Sequence, residues 1–219
     1  MKVEHIWSTP KGDELVAKMA RVSNPKNEEN HETAPRLIRY LIRNKHWSPF
    51  QMVNACVYVE CPRDISRQIL RHTSLAFQEF SGRYADYETL IDGRELRLRD
   101  RKNRQNSIST EDQELQRKWT RLVKVVRAVS LRAYRTAIDL GVAPEVARVL
   151  LPEGLVPTRL YINGTLRSWI HYFDVRCGPE TQKEHREVAE AIRNVVFAQF
   201  PMIAEAVSEQ RPGTLEEVS

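Results

Sequence analysis

Between Gln68 and Tyr84 the chain reads Gln-Ile-Leu-Arg-His-Thr-Ser-Leu-Ala-Phe-Gln-Glu-Phe-Ser-Gly-Arg-Tyr, a stretch dense in groups that grip nucleotides. Arg71 and His72 fall at the end of a predicted short helix, where cationic side chains complement the helix dipole. Ser81, Gly82 and Arg83 form a compact anion-binding unit. Gly82 lets backbone N–H groups come close to a phosphate, and Arg83 can bind one as a bidentate fork. Gln68 and Glu79 have the chemistry to bond a base edge or a ribose. An ordinary polar loop would carry similar residues, so short-range chemistry alone leaves both readings open. Three other places hold polar groups that a fold does not obviously need. They are the turn His46-Trp47-Ser48-Pro49-Phe50, Arg148 within the apolar Ala147–Pro152 stretch, and the trio Arg167, His171 and Arg176 around Trp169. Arg167 and His171 are four apart and share a helix face. Singly, each reads as a surface charge or a satisfied contact; together they point to a site.

The elements that must position these groups can be read from periodicity. Lys2 to Ser8 reads as a first strand, broken by Pro10 and Gly12. Asp13 is placed to cap a helix that carries Leu15, Val16, Met19 and Ala20 on one face. A polar loop from Asn24 to Thr33 leads to a helix with Leu37, Ile38, Leu41 and Ile42 at helical spacing. Val53 to Val59 is a buried strand ended by Pro62, and Asp64 to Arg71 a short helix. Thr73 to Ala85 is a loop with room for a short strand. The basic run Arg94, Arg97, Arg99, Arg101, Lys102 and Arg104 reads as a solvated loop. A long helix starts near Thr110 and stops at Gly141. Further helices span Pro144–Leu151, Leu166–Arg176 and Glu180–Phe200, with a strand at Leu160–Asn163. Residues 210–219 read as a disordered tail. The whole is expected to be one α+β domain over residues 1–219, mainly helical around a small mixed or antiparallel sheet.

Composition narrows the class. The 219 residues are 41% hydrophobic and 29% charged, an ordinary balance for a soluble domain. No run approaches the roughly 18 apolar residues of a membrane span, and the first residues lack the apolar stretch of a secretory signal. The expected location is cytoplasmic. Cys56, Cys61 and Cys177 form no disulfide framework. With no CxxC, HxxxH or HExxH, no metal site is expected. The net charge of +5 and pI near 9.2 favour anionic partners without choosing among them.

The segment from Arg71 to Ser81 resembles the signature of the flavin-dependent thymidylate synthases: Arg-His-Arg, seven residues, then Ser. The family's continuation Ser-x-Arg-Tyr is matched by Ser81-Gly82-Arg83-Tyr84. Further blocks match in the family's order: Ala20-Arg21-Val22-Ser23, the His46–Phe50 turn, Ala147–Pro152, and Thr165 to Arg176 with its Val-Arg ending. The resemblance implies methylation of dUMP to dTMP with methylenetetrahydrofolate as carbon donor, bound FAD as hydride source and NADPH as reductant, without a cysteine nucleophile. It implies a dUMP site of Gln68, Arg71, Glu79, Phe80, Ser81, Gly82, Arg83, Arg148 and Arg176. In that site Ser81, Arg83 and Arg148 hold the phosphate, and Arg176 polarises the pyrimidine in the catalytic role. It implies an FAD site of Ser23, Ser48, Arg71, His72, Thr73, Glu79, Thr165, Leu166, Arg167 and His171, and a homotetramer with shared active sites. Two positions depart from the pattern: Thr73 stands where the family usually has arginine, and His171 where it often has asparagine.

Two rival readings have specific consequences. A basic nucleic-acid-binding protein would use the Arg94–Arg104 run, but zinc-finger spacing, RNP-like aromatics and a recognition helix are missing, so no specific nucleic acid is expected. A divergent family member that binds flavin or nucleotide without methylating would trace to Thr73. Arg83, Arg148 and Arg176, all present, argue for the active enzyme.

Overall fold

A computed structural model describes residues 1–210. Its centre is a four-stranded antiparallel sheet in the order β1 (Lys2–Ser8), β2 (Asn54–Pro62), β6 (Pro157–Thr165) and β3 (Ala76–Glu79). The β2–β6 pairing runs without a shift from Asn54↔Thr165 to Pro62↔Pro157. Alternation decides the faces. Ala55, Val57, Val59 and Cys61 of β2 and Leu160 and Ile162 of β6 are buried on one side. Tyr58 and Tyr161 meet ring to ring at 5.3 Å on the other, more open side. β6 is longer than the segment its apolar core marks, because Arg159 and Thr165 occupy outward positions that apolar content does not flag.

Helices cover the apolar face. α6 (Leu166–Arg176) follows β6 directly and contributes Leu166, Trp169, Ile170 and Phe173. Its Thr165 cap accepts from Ser168 N at 3.2 Å, and Trp169 Nε1 donates to Ala55 O at 3.1 Å, bolting helix to sheet. α7 (Lys183–Phe197) adds Val188, Ala189, Ile192 and Val196. Burying each large apolar side chain here is worth about 1.5–3 kcal/mol. α3 (Arg63–Ile69) drops from the end of β2 and delivers the signature segment to this layer.

Two readings of the helices change. The segment predicted as one helix from Glu180 to Phe200 ends at Phe197, and α8 (Pro201–Glu209) begins with proline at its first position, where a missing N–H costs nothing. Asp13 does not cap its own helix α1 (Gly12–Ala20), whose cap position is Lys11. Its buried carboxylate instead accepts from Met202 N at 3.0 Å and Ile203 N at 3.3 Å, capping α8 across the molecule. α2 (Ala34–Arg43) packs between α1 and α8.

A second apolar cluster of Tyr87, Leu90, Tyr134, Ala147 and Val156 lies at the foot of α4 (Gln113–Asp139). Asp112 caps α4, two residues past the predicted start, and Gly141 at φ +80° ends it as expected. Three α4 side chains eight residues apart hold the irregular segment before it. Trp119 bonds Arg94 O, Arg127 bonds Leu90 O and Arg135 bonds Glu88 O. The predicted helix at Pro144 is the single turn α5 (Pro144–Ala147), continued as a tighter 3-10 turn. The basic run is not a plain loop: β4 (Arg97–Arg99) and β5 (Ser107–Ser109) pair as a hairpin. Arg94 pairs with Asp64, and Arg97 with Glu184 at 2.6 Å, so two of its charges are tied to the body. Residues 211–219, most of the predicted tail, lie outside the described residues.

Candidate active site

The end of α6 and the turn after α3 meet at Arg176 and His72. Arg176 Nε donates to His72 Nε2 at 2.8 Å. The imidazole must therefore be neutral, with its proton on Nδ1. Burial, aided by the Arg176 charge and by His171, pushes His72 down to about 4. One of the five guanidinium donors is thus spent on orientation, and the terminal nitrogens keep theirs for a ligand. The His72 ring stands edge-on to Tyr172, 4.8 Å between centroids at 84°. Arg71, next door, is exposed and makes no ion pair among the described residues.

Gln68 is one turn earlier, on α3. Its Oε1 faces His185 Nδ1 at 3.2 Å, and its Nε2 donates to Gln182 Oε1 at 2.8 Å. One N–H and one lone pair of the amide stay available. Behind it, His185 Nε2 meets Tyr172 Oη at 3.1 Å. Gln182 Nε2 donates to Glu184 Oε2 at 2.8 Å. His185, Tyr172, Gln182, Glu184 and Arg97 were not singled out by the sequence reading. A signal existed: His185 precedes Val188 by three and so sits on the apolar face of α7. Fully buried, it is held down to about 3 by desolvation first, then by Arg176 and His72.

A second group gathers around the smaller core. Glu79 Oε1 accepts from Ser66 at 2.6 Å and Thr158 at 3.0 Å, with Arg67 3.7 Å from its other oxygen. Here the carboxylate ties α3, β3 and β6 together. Phe80 packs on Tyr87 with the Arg159 guanidinium over its ring. Ser81 Oγ accepts from Arg83 N at 3.3 Å. Gly82 is buried, and a Cβ there would lie 2.5 Å from Tyr87 Cε2. Its missing side chain is thus demanded by Tyr87, whatever approaches the other side. Arg83 pairs with Glu145 at 3.1 Å, which brings it beside the groove that Arg148 lines with Arg63, Arg67 and Tyr87. Arg148 is exposed and, among the described residues, has no carboxylate partner. Among the described residues, no hydrogen bond or ion pair joins this group to Arg176.

The third group is a surface. Arg167 and His171 are exposed on α6, and Thr165 caps it. The turn holding Ser48 packs against α6, and α1, which Ser23 follows, packs against that turn. Ser48, Thr73, Arg71 and Arg167 are all exposed, their hydroxyl and guanidinium groups open to solvent. Leu166 does not present its side chain there: it is wholly in the core, its N–H bonded to Val53 O at 2.8 Å, so it anchors the helix.

Two of the cysteines are poorly placed for nucleophilic work. Cys56 and Cys61 are buried on β2; burial raises Cys56 and, with help from Glu79 and Asp64, pushes Cys61 up to about 12. A thiolate is the reactive form, so neither is activated. Among the described residues no cluster of His, Cys, Asp and Glu could hold a metal, and no helix is long and apolar enough to cross a membrane.

Comparison with known proteins shows the family. Residues 5–202 match the family model described as thymidylate synthase complementing protein. A flavin-dependent thymidylate synthase from Synechocystis is 44% identical over 91% of this chain and 90% of its own. A probable flavin-dependent thymidylate synthase from Paramecium bursaria Chlorella virus 1 is 42% identical over 89% and 90%. Among solved structures, a UMP/dUMP methylase from Streptomyces cacaoi bound with 5-Br dUMP superposes with TM-score 0.79, at 26% identity, over 95% of this chain and 94% of that one. Sequence blocks, fold and relatives converge: the chain belongs to the flavin-dependent thymidylate synthase family.

Proposed function

We propose that this protein converts dUMP to dTMP, with methylenetetrahydrofolate giving the carbon, FAD bound as the redox cofactor and NADPH restoring its reduced form. The observation that carries the reading is Arg176 held by a neutral His72 at 2.8 Å, with its terminal nitrogens unspent. A guanidinium fixed beside a uracil stabilises negative charge as it develops on the ring, and it pays no reorganisation cost at that moment. Bound flavin supplies the hydride chemistry. The chain's own groups bind and orient. Arg83, Arg148 and Ser81 take the phosphate, Gln68 offers one N–H and one lone pair to the base, and Arg71 and Arg167 take the cofactor's phosphates. The buried, unactivated cysteines fit a reaction without a thiolate. Among the described residues no disulfide links Cys56, Cys61 or Cys177, which fits a reducing cytoplasm.

The active form is a homotetramer with shared sites. Support comes from α4, where Leu115, Trp119, Leu122, Val126 and Val129 recur at alternating spacings of four and three. Their exposure runs from 36% to 64%. Such a heptad seam is complementary to a copy of itself. Among the described residues no hydrogen bond or ion pair joins the Arg83–Arg148 group to Arg176 within one chain, and a site shared between subunits requires none.

The test is a visible absorption titration, FAD first and then dUMP, followed by a dTMP assay with folate and NADPH. Bound flavin whose bands shift on adding dUMP, with dTMP formed, is the expected result. No flavin retained at high FAD, or flavin retained with no dTMP, refutes it.

A further inference from the structure

The polarity of the buried hydrogen-bond chain behind the site is set from one end. Glu184 is a carboxylate and only accepts, taking Arg97 at 2.6 Å and Gln182 Nε2 at 2.8 Å. Gln182 must then turn its oxygen to Gln68, which donates at 2.8 Å. Gln68 is left with its oxygen toward His185, so Nδ1 of His185 carries the proton. A neutral ring has a bare Nε2, and that nitrogen accepts from the Tyr172 hydroxyl at 3.1 Å. The Tyr172 ring in turn backs His72, the group that holds Arg176. His185 is the branch point: one nitrogen aims Gln68, the other fixes the wall behind Arg176. It is 0% exposed, as is Tyr172, so water cannot replace either bond.

We propose that His185 is a positioning residue that orients two substrate-facing groups at once, the Gln68 amide through Nδ1 and the Arg176 guanidinium through Tyr172 and His72. This rests on the reading that Gln68 and Arg176 face dUMP. The two branches make separable predictions. His185→Gln keeps an oxygen near the Nε2 position for Tyr172 and drops the donor to Gln68. Tyr172→Phe removes one oxygen and leaves the Gln68 branch intact.

The experiment measures kcat and KM for dUMP per folded, flavin-loaded protein in both variants, with Arg176→Ala as control. Expected are a KM raised about five- to tenfold with kcat within about threefold for His185→Gln, and the reverse split for Tyr172→Phe, the loss of one oriented hydrogen bond in each case. A purely structural histidine would lower only the folded fraction and leave both parameters, taken per folded molecule, at their wild-type values. Wild-type kinetics per folded molecule in both variants, or parallel losses without a split, overturn the proposal. If His185→Gln does not fold, Tyr172→Phe decides: a kcat loss at unchanged KM sustains the proposal and wild-type kcat defeats it. If Arg176→Ala turns over normally, the underlying reading has failed; if only the His185 and Tyr172 variants are normal, this inference alone has failed.

Discussion

Replacing Arg176 by alanine separates the chemistry from the scaffold. The side chain has two jobs in the structure: Nε donates to His72 at 2.8 Å, and the terminal nitrogens are left for the ligand. Removing a fixed donor aimed at developing charge costs about 2.7–4 kcal/mol, or 10²–10³ in kcat. The stability cost is smaller. His72 loses one partner worth about 1 kcal/mol net, and its half-exposed position lets water substitute. The expected outcome is dTMP formation reduced at least a hundredfold, with the flavin bands retained and the urea midpoint little moved. A third readout is independent of turnover. Burial first and the Arg176 charge second hold His72 down, so Arg176→Ala should raise the His72 pKa in an NMR titration. Arg176→Lys should leave that pKa low, because the charge stays, yet lose most activity, because an ammonium cannot bond His72 and still present a planar fork. Turnover within about threefold of the parent in Arg176→Ala would refute the assigned role, whatever the spectra show.

Four further outcomes are expected. Gly82→Ala forces a Cβ to 2.5 Å from Tyr87 Cε2 and should cost about 1–3 kcal/mol by urea unfolding, with weaker dUMP binding as the Ser81–Arg83 turn shifts; an unchanged midpoint would contradict the packing. Stability should fall as pH drops from 6.5 toward about 4, measured as the urea midpoint. The unfolded chain then binds protons that His72 and His185, held down by burial, refuse in the folded state. Above 6.5 both are neutral in either state and give no pH dependence. Asp13, raised by burial, acts with the opposite sign but only in the carboxylate range; a flat profile between pH 6.5 and 4.5 would exclude the histidine effect. Val126→Glu on the α4 seam should dissociate the oligomer by light scattering while the far-UV spectrum stays helical, and an unchanged mass would place the interface elsewhere. Thr73→Arg should keep or tighten FAD binding by fluorescence titration, since the position is exposed and adds a cation; clear loss of flavin would mean the site is built around threonine.

Much of the candidate site could be proposed locally because its groups are neighbours in sequence. The order Arg71-His72, then Ser81-Gly82-Arg83, reports residues that leave one helix and one short strand, and charge and turn chemistry suggest the roles proposed for them. Arg176 and Trp169 were legible because a 3.6-residue period puts them on a recognisable helix. The apolar alternation in β2 marked the central strand for the same reason. Other readings went astray where the partner lay far along the chain. Asp13 has the look of a local cap, yet the helix it caps begins at Pro201. The arginines at 94 and 97 look like surface charge until Asp64 and Glu184 fold beside them. For Gly82 the structure adds a packing reason to the proposed phosphate role, since the atoms that exclude a Cβ there belong to Tyr87.

By itself, then, the sequence determined the fold class, the elements with strong period, and which residue types were at hand to bind an anionic nucleotide, since propensity, periodicity and charge act over a few residues. Only the tertiary structure decided which nitrogen of His72 carries a proton, which way Gln68 points, and that a buried His185 stands behind both. Those facts depend on donors and acceptors brought within about 3 Å from α3, α6 and α7 around the fully buried His185–Tyr172 pair.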